Sequence, residues 1–100
     1  MNEYLVRITI NRPVAMIDSQ WESVLRREAE HAGRYRAAGT ILRIWRLPGT
    51  TANVGIWSAQ TATELHDKLA ALPAFPYMKV DVQALAQHYL EVGAPAVPPS

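Results

Sequence analysis

Between Tyr4 and Ile10 apolar residues recur at every second position, with Tyr4, Val6, Ile8 and Ile10 on one side and Leu5, Arg7 and Thr9 on the other. A period of two predicts a half-buried strand, and Pro13 marks its end. The period then lengthens. Ile17, Trp21, Val24, Leu25, Ala32 and Tyr35 fall on one stripe of a helix, and Ser19-Gln20-Trp21-Glu22 has the spacing of a capping box at its start. The helix is expected to run to about Ala38, with Gly39 as its C-terminal stop. Ile41 to Leu47 reads as a second strand, Pro48-Gly49 as a turn, and Ala52 to Ser58 as a third strand in a hairpin with the second. Thr61-Ala62-Thr63-Glu64 repeats the capping-box spacing and opens a second helix with Ala62, Leu65, Leu69 and Leu72 on one face. Pro73 and Pro76 punctuate its end. Met78 to about Leu85 reads as the last strand, with Met78, Val80 and Val82 on one side.

The order βαββαβ predicts an α+β, ferredoxin-like domain: a four-stranded antiparallel sheet with two helices on one face. The other face then needs cover. Leu5, Arg43, Trp45 and Trp57 are too apolar as a set for a solvated surface, so sheets pairing between subunits, and hence a homo-oligomer, are expected. Residues 1–92 form this one domain. The stretch 93–100, Gly-Ala-Pro-Ala-Val-Pro-Pro-Ser, shows no periodicity and reads as a Pro-rich tail, either disordered or laid as an arm on a neighbouring subunit.

Composition narrows the function more than the fold. With 100 residues, 49% of them hydrophobic, the chain can build one modest core, and oligomerisation is a common remedy at this size. Ten basic against nine acidic residues give no electrostatic case for nucleic acid or an anionic membrane surface. The absence of cysteine excludes disulfides, thiolate metal sites and a cysteine nucleophile. No apolar run approaches the roughly 20 residues of a membrane-spanning helix, and Met1-Asn2-Glu3-Tyr4 does not open a signal peptide, so a cytoplasmic protein is expected. The three histidines lack paired metal-ligand spacing, and no phosphate loop or nucleophile elbow is present. No metal site is expected.

Glu28 is the informative position. It lies in the middle of the first helix's apolar stripe, three and four residues from Leu25, Val24 and Ala32, where a carboxylate is unexpected. Burial disfavours the charged form and raises the pKa, as a proton-transferring base working near neutral pH requires. A structural pairing of Glu28 with a buried arginine, or an apolar stripe wider than drawn, would explain the same pattern. Arg7, Arg43 and Arg46 sit inside strands. On a regular strand Arg46 shares its side with Leu42 and Ile44, and Arg43 shares the other with Ile41 and Trp45. An arginine on a buried sheet face suits a substrate carboxylate, which its planar fork binds bidentately; a surface or interface arginine is the plainer reading of each. His31 follows Glu28 by three residues and could sit beside it at a pocket rim. His66 adjoins Leu65 and Leu69, while Arg26, Arg27, Arg34 and Arg36 read as the solvated flank of the helix.

The segment Leu72-Pro73-Ala74-Phe75-Pro76-Tyr77-Met78-Lys79-Val80-Asp81-Val82 resembles the pattern L-P-x-F-P-Y-M-x-[IV]-x-V of the muconolactone isomerases. Gly39-Thr40, Trp45-Arg46, Gly49, Ala52-Asn53 and Leu65-His66-Asp67 fall at that family's spacings, Pro13-Val14 follows the first strand as it does there, and the register runs without gaps to about Val82. The resemblance spans roughly four-fifths of the chain. It implies a cofactor-free enzyme of aromatic catabolism, in the catechol branch of the β-ketoadipate pathway, that converts muconolactone to the enol-lactone of 3-oxoadipate. It also implies ferredoxin-like subunits that pair through their sheets and assemble into decamers. The family's proposed proton-transfer glutamate aligns with Glu28, so periodicity and resemblance point at one residue. The free carboxylate of a lactone substrate needs a cation; Arg46 is the first candidate, followed by His31, Arg7 and Arg43.

Three positions depart from the family pattern. Thr50-Thr51 stands where His-Tyr is usual before Ala-Asn, Arg27 replaces a residue that is often acidic, and Leu42-Arg43 stands in place of Arg-His. A protein of this fold acting on a substituted lactone, or binding a small aromatic or lactone ligand without isomerase activity, is the alternative that these departures keep open.

Overall fold

The computed structural model describes residues 1–91, and the Pro-rich stretch 93–100 lies outside the described residues. The elements follow the order β1 (Asn2–Ile10), α1 (Asp18–Ala38), β2 (Ile41–Arg46), β3 (Asn53–Ala59), α2 (Ala62–Ala70), a 3-10 turn over Phe75–Tyr77, and β4 (Met78–Leu85). The strands lie in the order β2-β3-β1-β4, and every neighbouring pair is antiparallel. This is the βαββαβ arrangement expected from the sequence.

The alternation in β1 sets the core. Tyr4, Val6 and Ile8 are buried and face Tyr35 of α1 and Leu65 and Leu69 of α2, with Ile41, Trp57, Ala59 and Leu72 completing the cluster. Both helices therefore cover one face of the sheet. Cross-strand pairing assigns the rest: Leu5 lies opposite Ile56 and Gln83, and Arg7 opposite Val54 and Asp81, so these side chains share the outer face.

Two expectations about faces need correction. A bulge lies between Ile41 and Arg43, where the pairing runs Ile41 to Trp57 and then Arg43 to Ile56, leaving Leu42 as the extra residue. An extra residue inverts the parity of everything after it. Ile41 consequently shares the helix-facing side with Ile44 and Arg46, whereas Arg43 and Trp45 face outward. Trp57, grouped above with the outer face, is the largest fully buried side chain of the core and 1% exposed, because it pairs with Tyr4 and Ile41 on the helix side.

The helix ends are set differently. α1 starts at Asp18 with Ile17 as its N-cap and no side-chain cap bond, so the capping box read at Ser19 does not form. The Asp18 carboxylate is instead paired with Arg12 at 2.5 Å. Gly39 closes the helix in the left-handed region (φ 82°), as expected for a C-terminal glycine. The apolar stripe is also narrower than drawn, since Ile17 and Leu25 are exposed and only Val24, Glu28 and Tyr35 are buried in this helix. In α2 the side-chain cap forms: Thr61 Oγ1 accepts from the Glu64 backbone N–H at 3.1 Å, and the Glu64 carboxylate accepts from the backbone N–H of Gln60, the residue before the cap, at 3.4 Å. Thr61→Ala is expected to cost about 1 kcal/mol and to lower the melting temperature by roughly 5 °C, checked by calorimetry; an unchanged melting temperature would show the cap to be idle.

Candidate active site

Glu28 lies on the inner side of α1 and is only 9% exposed. Its Oε1 accepts a hydrogen bond from the Ala74 amide at 2.9 Å. Among the described residues the only ion pair within 4.0 Å is that of Arg12 with Asp18, so Glu28 is a buried carboxylate without a cation partner. The alternative of a structural Glu–Arg pair is thereby removed. Burial pushes the Glu28 carboxyl above the ordinary value of 4.5, against the opposing pull of the Ala74 amide and of the His31 charge.

The bond from Ala74 gives the Leu72–Met78 segment a physical role. Phe75 N–H donates to Leu72 O at 3.0 Å and Tyr77 N–H to Ala74 O at 2.9 Å, which winds this stretch into a tight turn between Pro73 and Pro76. Ala74 is wholly buried, and the winding presents its amide to Glu28. Tyr77 meets Trp21 edge to face at 5.8 Å and so fastens the turn to α1. Sequence reasoning passed over Ala74 because a backbone amide leaves no trace in residue type; the two flanking prolines are its only signal.

One turn on from Glu28, His31 is half-buried and stands edge-on to Tyr35 at 4.8 Å. The Tyr35 hydroxyl donates to the Lys68 carbonyl at 2.7 Å, tying α1 to α2. Burial first, and then the Glu28 charge, raise the Tyr35 phenol. The Tyr35 ring also packs edge to face on Trp57 at 5.7 Å, so a continuous line of contacts runs from the carboxylate's helix to the floor of the sheet.

The four predicted binding residues separate by face. Arg46 is on the helix-facing side opposite Asn53. Its Nη1 donates to the carbonyl oxygens of Thr51 and Ala52, the latter at 3.3 Å, which braces the β2–β3 hairpin at the position of Thr50-Thr51. No protein group among the described residues bonds its Nε or Nη2, the edge with which an arginine takes a carboxylate side-on. His31 is on the same side of the sheet as Glu28. Arg7 and Arg43 are on the outer face; Arg43 lies over the Trp45 ring at 4.9 Å, and Arg7 lines a hollow of about 400 Å³ with Leu5 and Val54. Within one chain the sheet separates them from Glu28. A second hollow of about 740 Å³, between Met1–Glu3 and the Leu85–Glu91 segment, is likewise not lined by Glu28. His66 is exposed beside Phe75 and distant in role from this constellation.

Two buried polar atoms on β3 stand out. Among the described residues, Asn53 Oδ1 and Trp57 Nε1 are buried without a hydrogen-bond partner. Both residues face the helices, since Asn53 pairs with Ile8 and Trp57 with Tyr4. From Tyr35, which touches Trp57, Glu28 is seven residues back along α1, a rise of about 10 Å. Glu28 is thus about that far along the helix from the Tyr35–Trp57 contact, at the point where the Ala74 amide meets α1.

The helix carboxylate singled out by the resemblance is buried over an antiparallel sheet, and comparison with known proteins bears on the family and the fold. The family model described as muconolactone delta-isomerase matches residues 2–91. The chain belongs to this family. The muconolactone Delta-isomerase of Cupriavidus pinatubonensis is 38% identical over 85 residues, covering 85% of this chain and 92% of that protein. That of Pseudomonas aeruginosa is 35% identical over 83 residues, covering 83% and 86%. The crystal structure of a muconolactone isomerase superposes with a TM-score of 0.80 at 34% identity, over 86% of this chain and 90% of that one. The chain is thus an isomerase by family, in the fold that its sequence predicts. No helix among the described residues is long and apolar enough to cross a membrane.

Proposed function

We propose that this protein is a cytoplasmic enzyme converting muconolactone to the enol-lactone of 3-oxoadipate, with Glu28 carrying the proton. The unpaired, buried Glu28 carboxylate is the observation that supports the reading most directly. The double bond of the lactone ring moves by one position. Glu28 takes a proton from the ring carbon bearing the side chain, and the C–H electron pair enters the ring and places negative charge on the lactone carbonyl oxygen. The proton then returns to the carbon next to that carbonyl, the pair flows back, and Glu28 is regenerated as a carboxylate. One base above one ring can serve both transfers when water is kept out and the geometry is fixed. The Ala74 amide holds one oxygen, which orients the other toward the ring. Arg46, through its unbonded edge, and His31 are the groups we assign to the substrate's free carboxylate.

Purified protein should turn over muconolactone in a continuous ultraviolet assay, and excess chelator should leave the rate unchanged. Turnover of a ring-substituted lactone alone would instead favour a diverged specificity, for which Thr50-Thr51 beside the Arg46 brace is the structural motive. Because the base must be ionised, log kcat/KM should rise with pH through the Glu28 pKa and level off, with its acid limb displaced above 4.5 in the direction set by burial. A limb at or below the ordinary carboxyl value would remove Glu28 as the titrating group.

We further propose that two copies pair through their outer sheet faces. Trp45 and Leu85 are 44% and 39% exposed there, and Leu5, Val54 and Ile56 lie among them half-buried in the single chain. Assembly of such dimers into a decamer is the larger order implied by the resemblance.

A further inference from the structure

Moving a proton off a lactone ring requires a place for the negative charge, and neither Glu28 nor the Ala74 amide that holds it supplies one. We infer that the indole N–H of Trp57 is the hydrogen-bond donor to the lactone carbonyl oxygen on which that charge grows. The inference rests on the reading of this site as an isomerase centre with Glu28 as its base.

Three observations place a donor there. Trp57 is 1% exposed, yet its Nε1 has no partner among the described residues, although a buried tryptophan usually finds one. A core position that needed only ring volume would be served by phenylalanine without stranding a donor. Next, Gly55 lies directly beneath Nε1: a Cβ there would meet the Arg43 carbonyl oxygen at 2.9 Å and would lie 3.4 Å from Nε1, so no side chain is built against the indole N–H from this position. Finally, Trp57 belongs to the same layer as the base, joined to α1 by Tyr35, whose phenol feels the Glu28 charge. A carboxylate above and an N–H donor below can hold a flat ring between them, with the base on ring carbon and the donor at the exocyclic oxygen. An N–H fixed in a dry core needs no reorganisation as charge develops, which is the condition under which such donors are most effective.

The test removes the N–H and keeps the shape. In a Trp21→Phe, Trp45→Phe background, which leaves Trp57 as the single tryptophan, 3-benzothienylalanine is incorporated in place of tryptophan. The sulfur analogue should fold with an equal or higher melting temperature, since the free protein loses an unpaired buried donor. With muconolactone, kcat should fall by about 10²–10³-fold, the effect of deleting one such donor, while KM changes little. In parallel, the ¹⁵N–¹H signal of the Trp57 indole in the same background should move downfield when the saturated analogue of muconolactone is added. An unchanged kcat in a background protein that turns over muconolactone through Glu28 overturns the inference and leaves the proposed function standing. Absence of turnover by the unsubstituted protein, together with a downfield indole shift on adding the analogue, sinks the proposed substrate and keeps Trp57 as the carbonyl donor. No shift with analogue bound overturns it whatever the rates.

Discussion

Glu28→Gln is expected to lower kcat/KM for muconolactone by about 10²–10⁴-fold, the usual contribution of a positioned general base. Glutamine has the same length and can still accept from the Ala74 amide, so the segment Leu72–Met78 keeps its anchor. What disappears is the ability to take up and return a proton. The same change should raise thermal stability at neutral pH, which separates loss of chemistry from loss of fold. Burial lifts the folded-state pKa of Glu28 above its unfolded value. Its stabilising contribution is then fully present below the unfolded value and is lost as pH rises through the folded one. The variant has no such dependence, so its advantage in melting temperature should be seen above the Glu28 pKa and vanish in acid. Glu28→Asp makes the complementary point, because it retains the acid but withdraws it by one methylene, and misplacement by about 1 Å can cost 10²-fold. A glutamine variant as active as the wild type would end the case for Glu28 as base.

Glu28 could be found from sequence because α1 buries so little else. A carboxylate between Val24 and Tyr35, the two buried apolar residues of the helix, violates the binary pattern, and violations of that kind mark function more often than error. Strand β1 was legible for the opposite reason: its alternation is clean, and its inner residues Tyr4, Val6 and Ile8 are the ones buried. The hairpin was not legible. In β3 the apolar pair Val54 and Ile56 faces outward, while Asn53, Gly55 and Trp57 face the helices. A strand with apolar residues on its outer face loses the usual polar-apolar contrast, and here the helix-facing side is the more polar one. The bulge at Leu42 compounded this, since nothing in Ile41-Leu42-Arg43 announces an unpaired residue, and it reversed the side on which Ile41 was placed. At the start of α1, the spacing of Ser19 and Glu22 met the capping-box rule, yet the chain begins its helix one residue earlier and relies on the Arg12–Asp18 pair.

The proline-flanked segment after α2 shows how a motif can carry function without a functional side chain. Leu72 fills the core, Pro73 and Pro76 restrict the backbone, and the product is one amide aimed at one carboxylate oxygen. Arg46 acts in a related way. Its bonds to the Thr51 and Ala52 carbonyls fix the hairpin on which the family's usual His-Tyr pair is replaced by two threonines. Specificity for ring substituents is therefore expected to reside in that hairpin, and proton transfer at Glu28 on the inner side of α1.

Leu5→Asp is expected to dissociate the sheet-paired dimer by at least about 100-fold while leaving the single chain folded. Leu5 sits in the second strand from one edge, between Ile56 of β3 and Gln83 of β4, on the face opposite Glu28. In a lone chain this position borders solvent, and a carboxylate there meets water. In a face-to-face dimer the same carboxylate is buried against apolar Val54, Ile56 and Trp45, with its copy from the partner nearby. An uncompensated buried charge costs roughly 3–5 kcal/mol, and each 1.4 kcal/mol is about tenfold in dissociation constant. Sedimentation velocity across a concentration series reads the change directly, and far-ultraviolet circular dichroism checks that the fold survives. Leu5→Asn, with similar volume and no charge, should fall between the two. Equal masses for wild type and Leu5→Asp over the whole series would mean that the outer sheet face is not the interface. The exposed Trp45, the half-buried aliphatics and the hollow beside Arg7 would then require a different occupant.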